Sequence, residues 1–211
     1  MNTTVTYLFD PLCGWCYGAS PMIQKLAQQA DLKLELAPTG LFAGTNGRVM
    51  DAEFAQYAWS NDLRIGKMTG QPFTEQYRTL VLRRTGSLLD SELATLALTA
   101  VSLTEPQCEF ETLKLIQEAR YVHGLDIISP SVVEKLLRDM GLAAAADKLA
   151  SGATELHLSN DARLQRAQRL MQTFGATGVP ALIVTKGDSR RLLGGNALFG
   201  SFDELMDLLA E

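Results

Sequence analysis

The chain has 211 residues, 46% of them hydrophobic and 20% charged, with a formal net charge of −5. That length suffices for one well-buried core plus an insertion, and the mixed charge with no lysine- or arginine-rich run excludes a nucleic-acid footprint. No segment reaches the roughly 18 consecutive apolar residues that a membrane span requires.

The first apolar run, Thr4-Val5-Thr6-Tyr7-Leu8-Phe9, reads as a strand, and Asp10-Pro11-Leu12 reads as the turn after it. Cys13-Gly14-Trp15-Cys16 follows directly, opening a helix predicted over residues 13–29. Two thiols with two residues between them can close a small disulfide on a first helical turn. There the unpaired N–H groups and the positive end of the helix dipole favour thiolate, the reactive species. Strand, turn, CxxC and helix in that order is the context a redox function requires. A structural zinc site needs four ligands, and the remaining candidates, Cys108, His123 and His157, are scattered and unpaired.

Residues 32–37 alternate with period two as a second strand, stopped by Pro38, and a glycine-rich loop covers residues 40–47. From about residue 51 to residue 158 almost every signal is helical. Leu93, Leu96, Ala97, Ala100 and Val101 mark one apolar face; Phe110, Leu113, Ile116 and Gln117 mark another. Ser129 and Pro130 read as N-cap and first-turn proline of a helix reaching Met140. Within this block Cys108 reads as a semi-buried free thiol, and His123 and His157 as surface or packing residues. Phe54, Tyr57 and Trp59 form an aromatic cluster that core packing explains, with a substrate groove beside Cys13 as the alternative. No repeat or low-complexity linker is visible, so the block is an insertion rather than a separate module.

The chain then returns to strands. A helix over residues 160–174 turns Leu164, Ala167, Leu170, Met171 and Phe174 inward. Thr177-Gly178-Val179-Pro180 leads into a strand over residues 181–185, paired antiparallel with residues 191–193. Ser201 and Glu204 form a capping box for a last helix that buries Leu205, Leu208 and Leu209.

Residues 9–18 carry the pattern F-D-P-x-C-x-W-C-Y-G, Pro21 stands five residues after the second cysteine, and Val179-Pro180 opens a strand far downstream. On these residues the chain resembles the DsbA-type thiol-disulfide oxidoreductases of the thioredoxin-like superfamily, in particular the cytoplasmic branch described as protein-disulfide isomerases. The resemblance implies an α/β thioredoxin-like fold built from residues 1–44 and 159–211, with residues 45–158 as a large all-helical insertion. It also implies that Pro180 is cis and packs against the CxxC pair, while Val179 offers backbone groups to an extended substrate.

Cys13, nearer the helix terminus, is then the expected nucleophile, and Cys16, one turn deeper, the resolving thiol. Gly14 and Trp15 tune the thiolate. An indole ring stabilises it less than a histidine would, so the expected reduction potential falls between about −150 and −240 mV. No bound cofactor and no metal are expected. Protein or peptide disulfides are the expected substrates, with glutathione or another dithiol as redox partner. Six residues before the first cysteine, where such enzymes commonly carry a proton-shuttling carboxylate, this chain has Tyr7, a poor proton acceptor. Asp10 is the nearest acid, and it either handles a proton or forms an Asx turn before Pro11. Kappa-class glutathione transferases and chromene-carboxylate isomerases share the inserted fold but typically carry serine in place of the first cysteine. Retention of both Cys13 and Cys16 favours dithiol chemistry over that alternative, and over a non-enzymatic module that holds unfolded chains. The N-terminus has neither the basic region nor the apolar length of a signal peptide, so a cytoplasmic protein is expected.

Overall fold

In the computed structural model, which describes residues 3–84 and 86–211, strand β1 (Thr3–Phe9) leads into helix α1 (Gly14–Ala27) and strand β2 (Leu32–Pro38). The first two residues of the predicted 1–44 segment, and Thr85, lie outside the described residues. The inserted segment holds β3 (Arg48–Val49), α2 (Ala52–Thr69), a short α3 (Glu75–Tyr77) and a wider turn over Arg78–Leu82. It continues through β4 (Leu88–Leu89), α4 (Glu92–Thr104), α5 (Glu109–Tyr121), α6 (Pro130–Asp139) and α7 (Ala143–Ala150). Helix α8 (Thr154–Phe174) returns the chain to β5 (Ala181–Lys186) and β6 (Ser189–Gly194), and α9 (Phe202–Ala210) closes it.

The main sheet has the order β2-β1-β5-β6, with β1 parallel to β2 and antiparallel to β5. Parallel neighbours need a crossover, and α1 supplies it. Alternation along β1 splits its side chains between two layers. Val5, Tyr7 and Phe9 join Ile23 and Leu26 of α1 and Leu205 and Leu209 of α9. Leu8 joins Ala167, Ala181 and Ile183 beneath α8. This is the expected α/β architecture with a helical insertion.

Two features of α1 bring the insertion down onto it. Gly14 and Gly18, four residues apart, lie on one helical face. A Cβ on Gly18 would stand 2.4 Å from Ile65 Cγ2, and one on Gly14 2.5 Å from Asp62 Oδ1, so only glycine admits α2 this closely. Pro21, inside α1, has no N–H to give the Tyr17 carbonyl. Gln71, just beyond α2, donates its Nε2 to that carbonyl at 3.1 Å instead.

The structure departs from the sequence expectations at several places. The 45–158 insertion is not all-helical: β3 and β4 form a small antiparallel pair, with Arg48 opposite Leu89 and Val49 opposite Leu88. Strands of two residues have no period to read. Helix α4 is buried nearly all round from Ala94 to Val101, with Leu93 only half-buried, because it is the central helix of the insertion. Ser129 does stand at the N-cap of α6, but its side chain makes no cap and lies 3.1 Å from Ser131 Oγ. Helix α8 begins at Thr154, ahead of the expected residue 160, because its first turns bury only Leu156 and leave Leu158 exposed, so they show no apolar stripe. It runs unbroken through residues 158 and 159 and so serves the insertion and the sheet together. Leu164, Leu170, Met171, Phe174 and Leu208 are half-buried, on helices that cover the outside of the sheet.

A buried polar network fastens α8 to the insertion. Thr99 donates to Asn160 Oδ1 at 2.8 Å, and Arg163 Nη1 donates to Thr99 Oγ1 at 3.0 Å and Ser102 Oγ at 3.2 Å. Arg163 also pairs with Glu109 and reaches the Leu36 carbonyl of β2 at 3.4 Å. Removing one member strands its buried partners, so Asn160→Ala should destabilise the fold by about 1–3 kcal/mol in urea unfolding. Gly18→Ala forces apart a closely packed helix pair and should cost about 1–3 kcal/mol in the same assay.

Candidate active site

The turn between β1 and α1 is held from three sides by one carboxylate. Asp10, fully buried, accepts from Leu12 N at 2.9 Å through Oδ1 and from Phe42 N at 3.1 Å and Ser91 Oγ at 2.8 Å through Oδ2. The first of these bonds is the Asx turn. Burial pushes the Asp10 carboxyl above its ordinary range, and the donated hydrogen bonds pull it partly back. Tyr121 of α5 fixes the other side of the turn by donating to the Leu12 carbonyl at 2.7 Å. Tyr7 donates its hydroxyl to the Cys16 carbonyl at 3.2 Å, and burial, with the two thiols beside it, pushes that hydroxyl well above the ordinary tyrosine range.

On this support Cys13 is the N-cap of α1, with extended backbone angles, and Cys16 lies one turn in. Cys13 is 8% exposed and Cys16 is 0% exposed, and both are free thiols. Cys13 Sγ points at the Val179 carbonyl, 3.7 Å away. Burial pushes the Cys16 thiol well above the ordinary cysteine range, and its contact with Cys13 pushes it the same way. The Val179–Pro180 peptide is cis. Gly195 backs onto it so closely that a Cβ there would stand 2.5 Å from the Pro180 carbonyl oxygen.

Trp15 separates two hollows. On one side is a cleft of about 410 Å³ floored by Gly178, Val179 and Pro180 and bounded by Asn196 and Phe199. On the other is a cavity of about 160 Å³ that Cys13 lines together with residues of the insertion. Phe199 meets the Trp15 ring edge-on at 5.2 Å, and the Arg64 guanidinium lies 5.0 Å from its centre. Phe54 and Tyr57 line the cavity, and Tyr57 is 65% exposed at its rim. Tyr57 thus stands at a groove beside Cys13, whereas Phe54 lines that groove and also packs against the core. Trp59 faces a separate depression with Arg78 over its ring at 5.0 Å.

Asp62, which the sequence alone does not single out, also lines this cavity. It is 5% exposed, and its Oδ2 accepts from the Tyr77 hydroxyl at 3.0 Å. Burial pushes its carboxyl up to about 7, against the opposing pull of the Tyr77 hydrogen bond and the Arg120 charge. The signal was present as an acid in the inward stripe Ala55, Ala58, Asp62 and Ile65 of α2. Arg120 is itself buried, with its guanidinium 5.6 Å from the Tyr77 ring centre and 5.7 Å from that of Tyr121. Cys108 is a free, half-buried thiol in the turn before α5, and His123 and His157 are exposed. Among the described residues no three His, Cys, Asp or Glu side chains are grouped to hold a metal ion, and no helix is long and apolar enough to cross a membrane.

No curated protein matches the sequence. Among solved structures, the chain is similar to the cytosolic disulfide reductase DsbM from Pseudomonas aeruginosa. The two share 30% identity with a TM-score of 0.85, over 98% of this chain and 97% of that one. A second structure of that reductase, with GSH, is similar at 30% identity and a TM-score of 0.84, over 98% and 97% of the two chains. A Nitrosomonas europaea protein provisionally assigned as a protein disulfide isomerase is similar at 28% identity and a TM-score of 0.81, over 100% of this chain and 97% of that one. The DSBA-like thioredoxin domain family matches residues 4–208. With the CxxC pair on the first turn of α1 and a family match over nearly its whole length, the chain belongs to the DSBA-like thioredoxin domain family of disulfide oxidoreductase enzymes.

Proposed function

We propose that this protein is a cytoplasmic thiol-disulfide oxidoreductase that reduces or isomerises disulfides of proteins or peptides, with glutathione as its thiol partner. What carries this is the placement of the two thiols: Cys13 lines one cavity and points at Val179 on the floor of the neighbouring cleft, and Cys16 is sealed one turn behind it. The similarity to a cytosolic disulfide reductase, and to its structure with GSH, supports the compartment and the partner.

In reduction, the Cys13 thiolate attacks one sulfur of a substrate disulfide, forming a mixed disulfide and releasing the other sulfur as a thiolate. Cys16 then gives up its proton and attacks Cys13 Sγ, closing the Cys13–Cys16 disulfide and releasing the second substrate sulfur. Two electrons have passed to the substrate, and two glutathione thiols restore the dithiol as they become glutathione disulfide. Burial holds the Cys16 proton in place, so it departs only when the mixed disulfide is there to be attacked. Val179 and the cleft beside it offer an extended peptide a backbone acceptor next to Cys13.

Titration of the Cys13–Cys16 couple in glutathione buffers, followed by Trp15 fluorescence, should give a reversible two-electron transition between about −150 and −240 mV. A single-state protein across the whole range, with Cys13→Ser behaving like wild type, would rule out the dithiol function. Cys13→Ser should abolish turnover. Cys16→Ser should instead accumulate a mixed disulfide on Cys13, seen by mass spectrometry as one added glutathione.

A further inference from the structure

The position that commonly holds a proton-shuttling carboxylate is occupied here by Tyr7, and Asp10 commits its carboxylate to three donors. The sulfur expelled by Cys13 leaves as a thiolate, and a proton delivered at the Cys13 side assists that departure. An alkyl thiolate leaves more slowly than one of lower pKa, so a proton supplied as it departs speeds the step. The cavity beside Cys13 contains a carboxyl placed to do this.

We propose that Asp62 is the general acid of the exchange: its carboxyl, facing the cavity that Cys13 lines, gives its proton to the substrate sulfur that Cys13 displaces. In the reverse direction the carboxylate takes the proton from an incoming thiol. The bond that forms is S–H on the leaving sulfur, the bond that breaks is O–H on Asp62, and solvent restores the proton after the product thiol leaves. This role rests on Cys13 being the nucleophile proposed above.

Three observations carry it. Asp62 Oδ2 is held by Tyr77, while Oδ1 has no hydrogen-bond partner among the described residues and is turned to the α1 terminus. It lies so close to Gly14, between the two cysteines, that a Cβ there would stand 2.5 Å from it. The other titratable or charged groups lining the cavity are Cys13, Tyr57, Tyr77, Arg120 and Tyr121. Burial keeps the hydroxyls of Tyr77 and Tyr121 well above the ordinary tyrosine range, so neither gives up its proton near neutrality. Arg120 does not deprotonate in a protein. Its charge does favour the carboxylate that Asp62 becomes after proton transfer. An acid poised near the working pH is the efficient kind, and burial holds Asp62 at about 7.

The test compares two disulfides whose sulfurs differ in how much they need a proton. With glutathione disulfide, whose leaving group is an alkyl thiolate, Asp62→Asn should lower the rate by about 100-fold. With an aromatic nitrobenzoate disulfide, whose thiolate leaves unaided, the same variant should stay within about twofold of wild type. Cys13 thiolate formation is followed separately by ultraviolet absorbance. Per thiolate, the wild-type rate with glutathione disulfide should fall as pH rises through about 7, because the acid form of Asp62 is lost there. Asp62→Asn should lack that fall. Tyr77→Phe removes the bond that favours the carboxylate and should move the fall to higher pH, which keeps the test decisive if Asp62→Asn does not fold. Equal losses on both disulfides, or no loss on either, would overturn the role, as would a fall that Tyr77→Phe leaves in place. Wild type inactive on both disulfides would instead defeat the oxidoreductase function itself.

Discussion

The active turn depends first on the buried carboxylate of Asp10. It gathers a donor from the turn itself, one from the loop after β2 and one from the start of α4, three segments far apart in sequence. A buried carboxylate is tolerated only when its oxygens are filled with donors, and filling them fixes Leu12, and with it Cys13, relative to the insertion. Tyr121 completes the clamp from α5 by taking up the Leu12 carbonyl. Cys13 is thus positioned as much by the inserted helices as by its own strand and helix. Preorganisation of this kind lets a thiol meet a disulfide without first ordering its own backbone.

The second constraint is steric. Gly14 and Gly18 leave one face of α1 without side chains, and α2 settles into that space with Ile65 and Asp62 against the helix backbone. The absence of a Cβ between the two cysteines therefore has a steric consequence. It sets how near the Asp62 carboxyl can come to the helix terminus that carries Cys13. The missing N–H of Pro21 is coupled to the same interface, since the Tyr17 carbonyl it leaves free is answered by Gln71 from beyond α2.

Elements with a strong period or a cap were legible in the residues. The alternation of β2, the apolar run of β1, the hairpin after Pro180 and the capping box at Ser201 all stand where local chemistry puts them. The β3–β4 pair was not legible, because two residues a side carry no period and the pairing is set by a contact across the insertion. The polar start of α8 was hidden for a related reason. Its turns are stabilised by Leu156 and Asn160 against other helices rather than by an apolar stripe of its own.

By itself the sequence determined the dithiol and its setting: strand, Asx turn, Cys13 at the helix start and Cys16 one turn in. Each of these follows from residues within a dozen positions of one another, where backbone preference and hydrogen bonding are local. Only the tertiary structure decided what faces the thiol. Asp62, Tyr77 and Arg120 come from three separate helical segments and meet only because two glycines let α2 approach α1 and a buried carboxylate pins the turn to α4. A single acid on an inward helical face says that something must compensate it. Which group does so is settled by long-range packing, and no local pattern encodes that.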